Sequence, residues 1–461
     1  MNTNSNVPLA NIINKSKLSL STKLSYGIGD FASNMSWALV SSFLLFFYTD
    51  VYGLAPAMIA VMMLVVRVWD AVNDPIMGLI MERTRSRYGR FRPYLLYTPI
   101  FMAVANVAMF TVPSFGTIGK IVYAYITYFC LEAAYTAVNV PYGALATVMT
   151  QEHDERTTLN SFRMFASCGA SIVIGSITMP LIQKLGGGNM QNGFFTTALI
   201  YSAVSVPLFW LVFKNCKEVI TPSEEQKPTL KASFQSVSKN MPLILVFMLG
   251  FFTLSALFGR MGILLYYCKY NLNNSNLFAL LMLATGLSNL VGIMAAPAIA
   301  KKLGKKLSAI ASCIVGAAGL FIVYFSGYTN ILMITIGTII YGLMGFGLPL
   351  LFSMTADCVE YAELKTGVRA EGFIYAGTSL STKFASVFAG SFGMFFIGYF
   401  GYVANAEQSA RALQSINIAC NLIPAIMCAL AILPMLFYKI NKEYYNKIIN
   451  ELHIRKQNEK A

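Results

Sequence analysis

Charge is scarce in this chain. Asp, Glu, Lys and Arg together make up 12% of its 461 residues, against 56% apolar. A water-soluble chain of this length needs about twice that share of charge to cover its surface. Histidine is scarcer still. His153 and His453 both lie in polar segments, neither beside a cysteine or a carboxylate pair at metal-ligand spacing, which argues against a metalloenzyme. The eight cysteines form no C-x-x-C pair and read as small packing residues, not as a disulfide or zinc framework. No G-x-x-x-x-G-K phosphate loop is present, which argues against an ATP-driven pump. Residues 1–20, rich in Asn, Ser and Lys, carry no cleavable signal pattern, so the first apolar stretch is expected to be its own insertion signal. Neither enzymatic activity nor a cofactor is expected.

Long apolar runs fill the space those absences leave. They recur in blocks of about 20 residues or more, the length of a membrane-crossing helix, and they do not alternate as barrel strands do. Twelve spans are expected, near 24–49, 56–81, 94–113, 119–148, 160–184, 194–214, 242–268, 275–298, 306–327, 330–356, 370–402 and 412–438. The net charge of +14 follows this division. Of 34 Lys and Arg, 26 fall in the termini and the connections 2–3, 4–5, 6–7, 8–9 and 10–11, four in the opposite connections, and Arg163 near the start of span 5. Arg67, Arg260 and Lys383 lie within spans. That asymmetry places both termini in the cytoplasm and makes the basic balance a topology signal, not a nucleic-acid footprint. The expected surroundings are a lipid bilayer, with no nucleic acid and no obligate protein partner.

The polar stretch 215–241 divides the chain into an N-terminal tail (1–23), a six-helix bundle (24–214), a central loop (215–241), a second bundle (242–438) and a C-terminal tail (439–461). "RSRYGRFRP" after span 2 and "AKKLGKKLS" after span 8 place Gly89 and Gly304 beside matching clusters of positive charge. A basic turn repeated after the second helix of each half suggests a duplicated unit. The expected fold is an all-α membrane protein with twelve transmembrane helices, a major facilitator architecture of two six-helix halves.

Ionisable groups inside spans are costly and mark function. Arg67, Asp70 and Asp74 share one face of span 2, and Pro75 frees the carbonyl of Ala71. With the amide oxygen of Asn73 they offer hard oxygen ligands for Na⁺; alternatively one carboxylate carries a proton, or Arg67 and Asp70 form a structural salt bridge. Span 4 aligns Glu132, Thr136, Asn139 and Gly143 on one stripe, with Pro141 expected to break the helix. Such stripes build substrate sites or join helices through hydrogen bonds. Span 1 places Asp30, Asn34 and Trp37 on one face, an aromatic beside hydrogen-bonding groups as a sugar requires. Lys383, deep in span 11, needs a carboxylate partner or an anionic ligand, unless it snorkels to an interface. Asp357, Glu360, Glu363, Arg369 and Glu371 cluster around the end of span 10 and read as gate and loop salt bridges, which Arg163 either joins or leaves for the pocket.

Four stretches together resemble the glycoside–pentoside–hexuronide:cation symporters: "GDFASN", "WDAVNDPIMGLIMERTRSRYGRFRP", "VNVPYGALATVMTQ" and "ADCVEYAELKTGVRAEGFIYA". The resemblance implies alternating access and glycoside uptake coupled to Na⁺, Li⁺ or H⁺ in a bacterial inner membrane. It implies cation binding at Asp70, Asn73, Asp74 and Thr136, and sugar-site roles for Arg163 and Lys383. Members that carry melibiose have aspartates where this chain has Asn34 and Asn139, and a tryptophan where it has Gly143. Asparagine at both positions followed by Pro-Tyr-Gly is the texture of glucuronide-carrying members. Loss of two negative charges beside Arg163 and Lys383 suits an acidic glycoside, and Glu132 opposes it. Neutral glycosides and pentosides stay open, as do a non-transporting sugar sensor and a lipid carrier on the same fold.

Overall fold

The computed structural model of the chain describes residues 18–150, 153–219, 240–367 and 371–458. Among the described residues all regular structure is helical. The first six helices are α1 (Leu20–Phe46), α2 (Pro56–Arg83), α3 (Arg92–Met109), α4 (Thr117–Met149), α5 (His153–Gly186) and α6 (Met190–Asn215). The second set opens with α7 (Met241–Tyr266), α8 (Leu277–Phe325), α9 (Ile331–Leu343), α10 (Gly347–Thr366) and α11 (Glu371–Tyr399). It closes with α12 (Ala410–Asn417), α13 (Ile423–Leu430), α14 (Ile432–Phe437) and α15 (Lys442–Asn458).

Ten helical segments among the described residues are long and apolar enough to cross a membrane. The 49-residue α8 is two crossings, because Gly304 (φ +76°, ψ 162°) leaves helical geometry at its middle. Glycine alone takes that conformation without a Cβ penalty. The 18-residue α3 adds one more crossing at ~27 Å. Counting α8 twice and including α3 gives the twelve that were expected. Short polar N-caps start several of these helices: Ser19, Asn189, Asn240, Asn330 and Ser409 each accept a backbone N–H of the first turn.

Three seams join the halves: α2 against α11, α1 against α7, and α5 against α8. Within the second half α8 packs on α9 with almost no side chain between them. A Cβ on Gly319 would stand 2.3 Å from the Tyr341 amide nitrogen, and one on Gly337 2.7 Å from the Gly319 carbonyl oxygen. Lipid supplies no hydrophobic drive between helices, so close backbone approach provides the attraction instead.

The halves also repeat in detail. A π-helical turn follows α1 (Phe47–Val51) and another follows α7 (Tyr267–Asn271), 220 residues apart. Both make the same backbone bonds, Tyr52 N–H to Phe47 and Leu54 N–H to Tyr48 in one, Leu272 N–H to Tyr267 and Asn274 N–H to Cys268 in the other. Each is followed by a residue of positive φ, Gly53 (+87°) and Asn273 (+50°).

Three expectations change. Pro141 does not break span 4, and α4 runs through it from Thr117 to Met149. The carbonyl that the proline leaves without a helical donor is that of Ala137, which has the Thr98 hydroxyl of α3 at 3.4 Å while that hydroxyl bonds the Tyr94 carbonyl of its own helix. Span 10 continues to Thr366, so Asp357, Glu360 and Glu363 lie on α10 and not beyond it. The C-terminal tail holds a further helix, α15, which buries Ile448 and Leu452 against the second half and sets Tyr444 beside Tyr361 of α10.

Gly319→Ala is expected to lower the melting temperature of the purified protein, an overpacking cost of about 1–3 kcal/mol. Gly169→Ala, inside α5, meets nothing within 4 Å and serves as the control that should lose no stability.

Candidate functional site

A cavity of about 540 Å³ lies between the halves, walled by α1, α2, α4 and α5 on one side and α7, α10 and α11 on the other. Its size falls within the ~300–1,000 Å³ usual for small-molecule sites. Two other cavities, inside the second half, have room for little more than a water at about 20 Å³ each.

One wall is a charge cluster. The Lys383 ammonium of α11 donates to Asp74 Oδ2, stands 3.3 Å from Asp70 Oδ2 and donates to the Asp70 carbonyl oxygen at 3.4 Å. The Thr136 hydroxyl of α4 lies 3.5 Å from Asp70 Oδ1 and 3.3 Å from Asp74 Oδ1. Four residues from three helices thus converge, as their helical spacing on α2 requires. Asp70 is 5% exposed and Thr136 3%, while the Asp74 and Lys383 side chains keep 34% and 23% of their surface open. Glu132, 4% exposed, lines the same cavity one turn before Thr136.

The facing wall is a hydrogen-bonding lattice. Arg163 Nε donates to Asp30 Oδ1 at 3.1 Å, and its guanidinium lies 4.9 Å from the centre of the Tyr142 ring. Asn34 Nδ2 donates to the Asp30 carbonyl at 2.8 Å and to Ser167 Oγ at 2.9 Å. Ser33 donates to Asn139 Oδ1 at 2.9 Å, and the Asn139 side chain also meets the Tyr135 hydroxyl. Gly143 opens the space: a Cβ there would already stand 3.5 Å from Arg163. Trp37 stacks on Tyr135 at 5.6 Å and meets Phe258 of α7 edge-on at 6.5 Å. The wall therefore offers amide and hydroxyl groups beside an aromatic platform, the pairing a pyranose needs.

The expected site residues Asp70, Asp74, Glu132, Thr136, Asn34, Trp37, Asn139, Arg163 and Lys383 all reach the cavity. Asn73 does not line it, and its Nδ2 is buried without a partner. The side chain of Arg67 and the whole of Arg369 lie outside the described residues. Asp357 pairs with Lys305 of α8 at 2.6 Å, and Glu360 faces Tyr445 of α15. Both contacts stay inside the second half, so they hold the α8 turn and the C-terminal helix and do not bridge the halves. Asp30 lies where its helix face suggested, but its pairing with Arg163 was not foreseen. Ser167 and Phe258 were missed, the first being an ordinary serine and the second one phenylalanine among 33.

A family model described as "MFS/sugar transport protein" matches residues 25–442. The chain belongs to that family. It is 35% identical over 439 residues to the isoprimeverose transporter of Lactiplantibacillus pentosus, covering 94% of this chain and 91% of that one. It is 31% identical over 448 residues to the putative glycoside/cation symporter YagG of Escherichia coli K12, covering 95% of each. To the glucuronide carrier protein homolog of the same strain it is 30% identical over 447 residues, covering 96% and 97%. Among solved structures it resembles the nucleoside transporter NupG (TM-score 0.63, 12% identity, 91% of this chain and 100% of that one). It also resembles the xylose transporter XylE of E. coli (TM-score 0.62, 13% identity, 92% and 98%). These likenesses give it the major facilitator fold, and the symporter family expected from the sequence motifs holds. The chain is a transporter and not an enzyme.

Asp30 and Arg163 side chains are 14% and 30% exposed, so their pair is only partly screened. Asp30→Asn is expected to destabilise the protein by about 1–3 kcal/mol. Adding Arg163→Gln should recover part of that loss, because no guanidinium is then left without its carboxylate. A double-mutant cycle on the melting temperature reads the coupling.

Proposed function

We propose that the protein carries a glycoside into the cell together with one coupling cation, by alternating access between its halves. The observation that supports this reading is the Lys383 ammonium seated on two carboxylates that a sugar-sized cavity shares. An ammonium there stands in for a monovalent cation. A Na⁺ or Li⁺ ion needs the same oxygens of Asp70, Asp74 and Thr136, and a proton needs one of the same carboxylates. Any of these weakens the hold of Lys383 on α2, which changes a contact between the halves. Downhill entry supplies about 2.3 kcal/mol per charge per 100 mV, and the shared wall passes it to the sugar.

The basic connections and the bacterial relatives favour a bacterial inner membrane with both termini in the cytoplasm. For the cargo we favour a neutral glycoside. Both cavity cations already hold carboxylates of the protein, Arg163 that of Asp30 and Lys383 those of Asp70 and Asp74, and a relative is named for isoprimeverose. A hexuronide is the second reading. The amides of Asn34 and Asn139 carry no charge to repel it, and its carboxylate would then replace Asp30 on Arg163.

Uptake of a radiolabelled panel of xylosides, other neutral glycosides and glucuronides into vesicles tests this under imposed Na⁺, Li⁺ or H⁺ gradients. Accumulation of one class under one gradient is expected, with Asp70→Asn and Asp74→Asn each cutting it by about tenfold or more, as loss of a charged hydrogen-bond partner implies. Equal accumulation by wild type and both variants would reduce the cluster to a structural ion pair. Glucuronide uptake without xyloside uptake would select the second reading.

A further inference from the structure

Two places among the described residues carry hydrogen bonds and ion pairs between the halves. One is Lys383 on Asp70 and Asp74. The other is a cluster around Asp50, on the face of the molecule away from the chain ends, about 20 Å along the helix direction from Trp37. Asp50 sits in the π-turn that follows α1, and its side chain is 1% exposed. Lys269 donates to its Oδ1 at 2.6 Å, Tyr270 donates to the same oxygen, and Tyr402 donates to Oδ2. Asn405 Nδ2 donates to the Asp50 carbonyl at 2.6 Å, and Lys269 also bonds Asn405 Oδ1 at 2.8 Å. The neighbouring Thr49 hydroxyl lies 2.7 Å from the Tyr266 hydroxyl of the other half.

Lys269, Tyr270 and Tyr402 all come from the second half. Tyr270 occupies the place in the π-turn after α7 that Asp50 occupies in the turn after α1, so the repeated turns of the two halves meet each other through one carboxylate. We propose that this cluster is the gate on the face away from the chain ends, and that the strength of the Asp50 bonds sets how often the cavity opens there. The proposal rests on the transporter reading, and does not depend on which glycoside or cation is carried.

Three facts support a gate over a static brace. The donors span the seam, so separating the halves on this face must break every one of them. Charge-assisted bonds to a sealed carboxylate are strong when made and leave an unpaired charge when lost, which gives two discrete states in place of a gradual loosening. The turns are π-helical, a geometry common at functional sites. One extra residue per turn can be wound back into α-helix, which would rotate Asp50 away from its donors. Beside the cluster lies a cavity of about 180 Å³ to which Asp50, Lys269 and Asn405 all contribute. Water or solute therefore has a way to reach the bonds that must break.

The test uses Ser386→Cys, a cavity position, as a reporter in the full-length protein in sealed vesicles. A membrane-impermeant maleimide is added on the face away from the chain ends. Asp50→Asn is expected to raise the labelling rate of the reporter about tenfold, the change a shift of one decade in the open population produces. Labelling of native Cys313, 0% exposed, should stay unchanged, which separates gate opening from unfolding. Tyr402→Phe removes one donor and keeps the carboxylate, and should act in the same direction with smaller size. It decides the matter if Asp50→Asn does not reach the membrane. Labelling unchanged in every folded variant overturns the proposal, as does Cys313 labelling that rises in parallel with the reporter. Failure of transport in the uptake panel would leave these labelling results standing, so the two readings fail separately.

Discussion

The attraction of the Lys383 ammonium for Asp70 and Asp74 organises the rest of the molecule. Two carboxylates side by side repel each other unless a cation sits between them. The ammonium supplies that cation from the opposite half of the protein. One electrostatic attraction therefore does two tasks: it offsets the repulsion between the two α2 side chains, and it ties α2 to α11 across the cavity. In the function proposed here, a monovalent cation that takes the ammonium's place changes both at once.

The helices exist to hold this arrangement against a membrane. Backbone groups are satisfied inside each helix. Glycines at the α8–α9 contact bring backbones together where lipid offers no hydrophobic drive. The two sides of the cavity are then free to carry polar groups. Arg163, Asp30, Asn34 and Asn139 form a wall that is already hydrogen-bonded.

Much of this was legible in the residues because charge in a membrane is expensive. Asp70, Asp74, Thr136 and Lys383 announced themselves by being where apolar residues belonged, and their spacing gave the shared face. The span count was legible from run length, and only the edges moved. Other features left no such trace. Asp50 and Lys269 sit at the ends of spans, where a charge is ordinary, and only the fold shows that they meet. From Phe46 to Leu54 the first half shares no residue with the positions 220 further on, so the repeated π-turns are visible in backbone geometry alone. Helix α15 hid because a polar tail needs only Ile448 and Leu452, four residues apart, to dock. The interruption expected at Pro141 failed because α4 is held along its length by α3 and α2, tertiary packing that no local pattern contains.

The central claim is that cation and glycoside bind to one cavity and strengthen each other. Equilibrium titration of the purified protein tests it most directly, with glycoside binding measured at several cation concentrations and cation binding at several glycoside concentrations. The account requires the two affinities to rise by the same factor, about fivefold or more for a coupling above 1 kcal/mol. It also requires that factor to collapse in Asp74→Asn. Glycoside binding that is indifferent to Na⁺, Li⁺ and pH would contradict it.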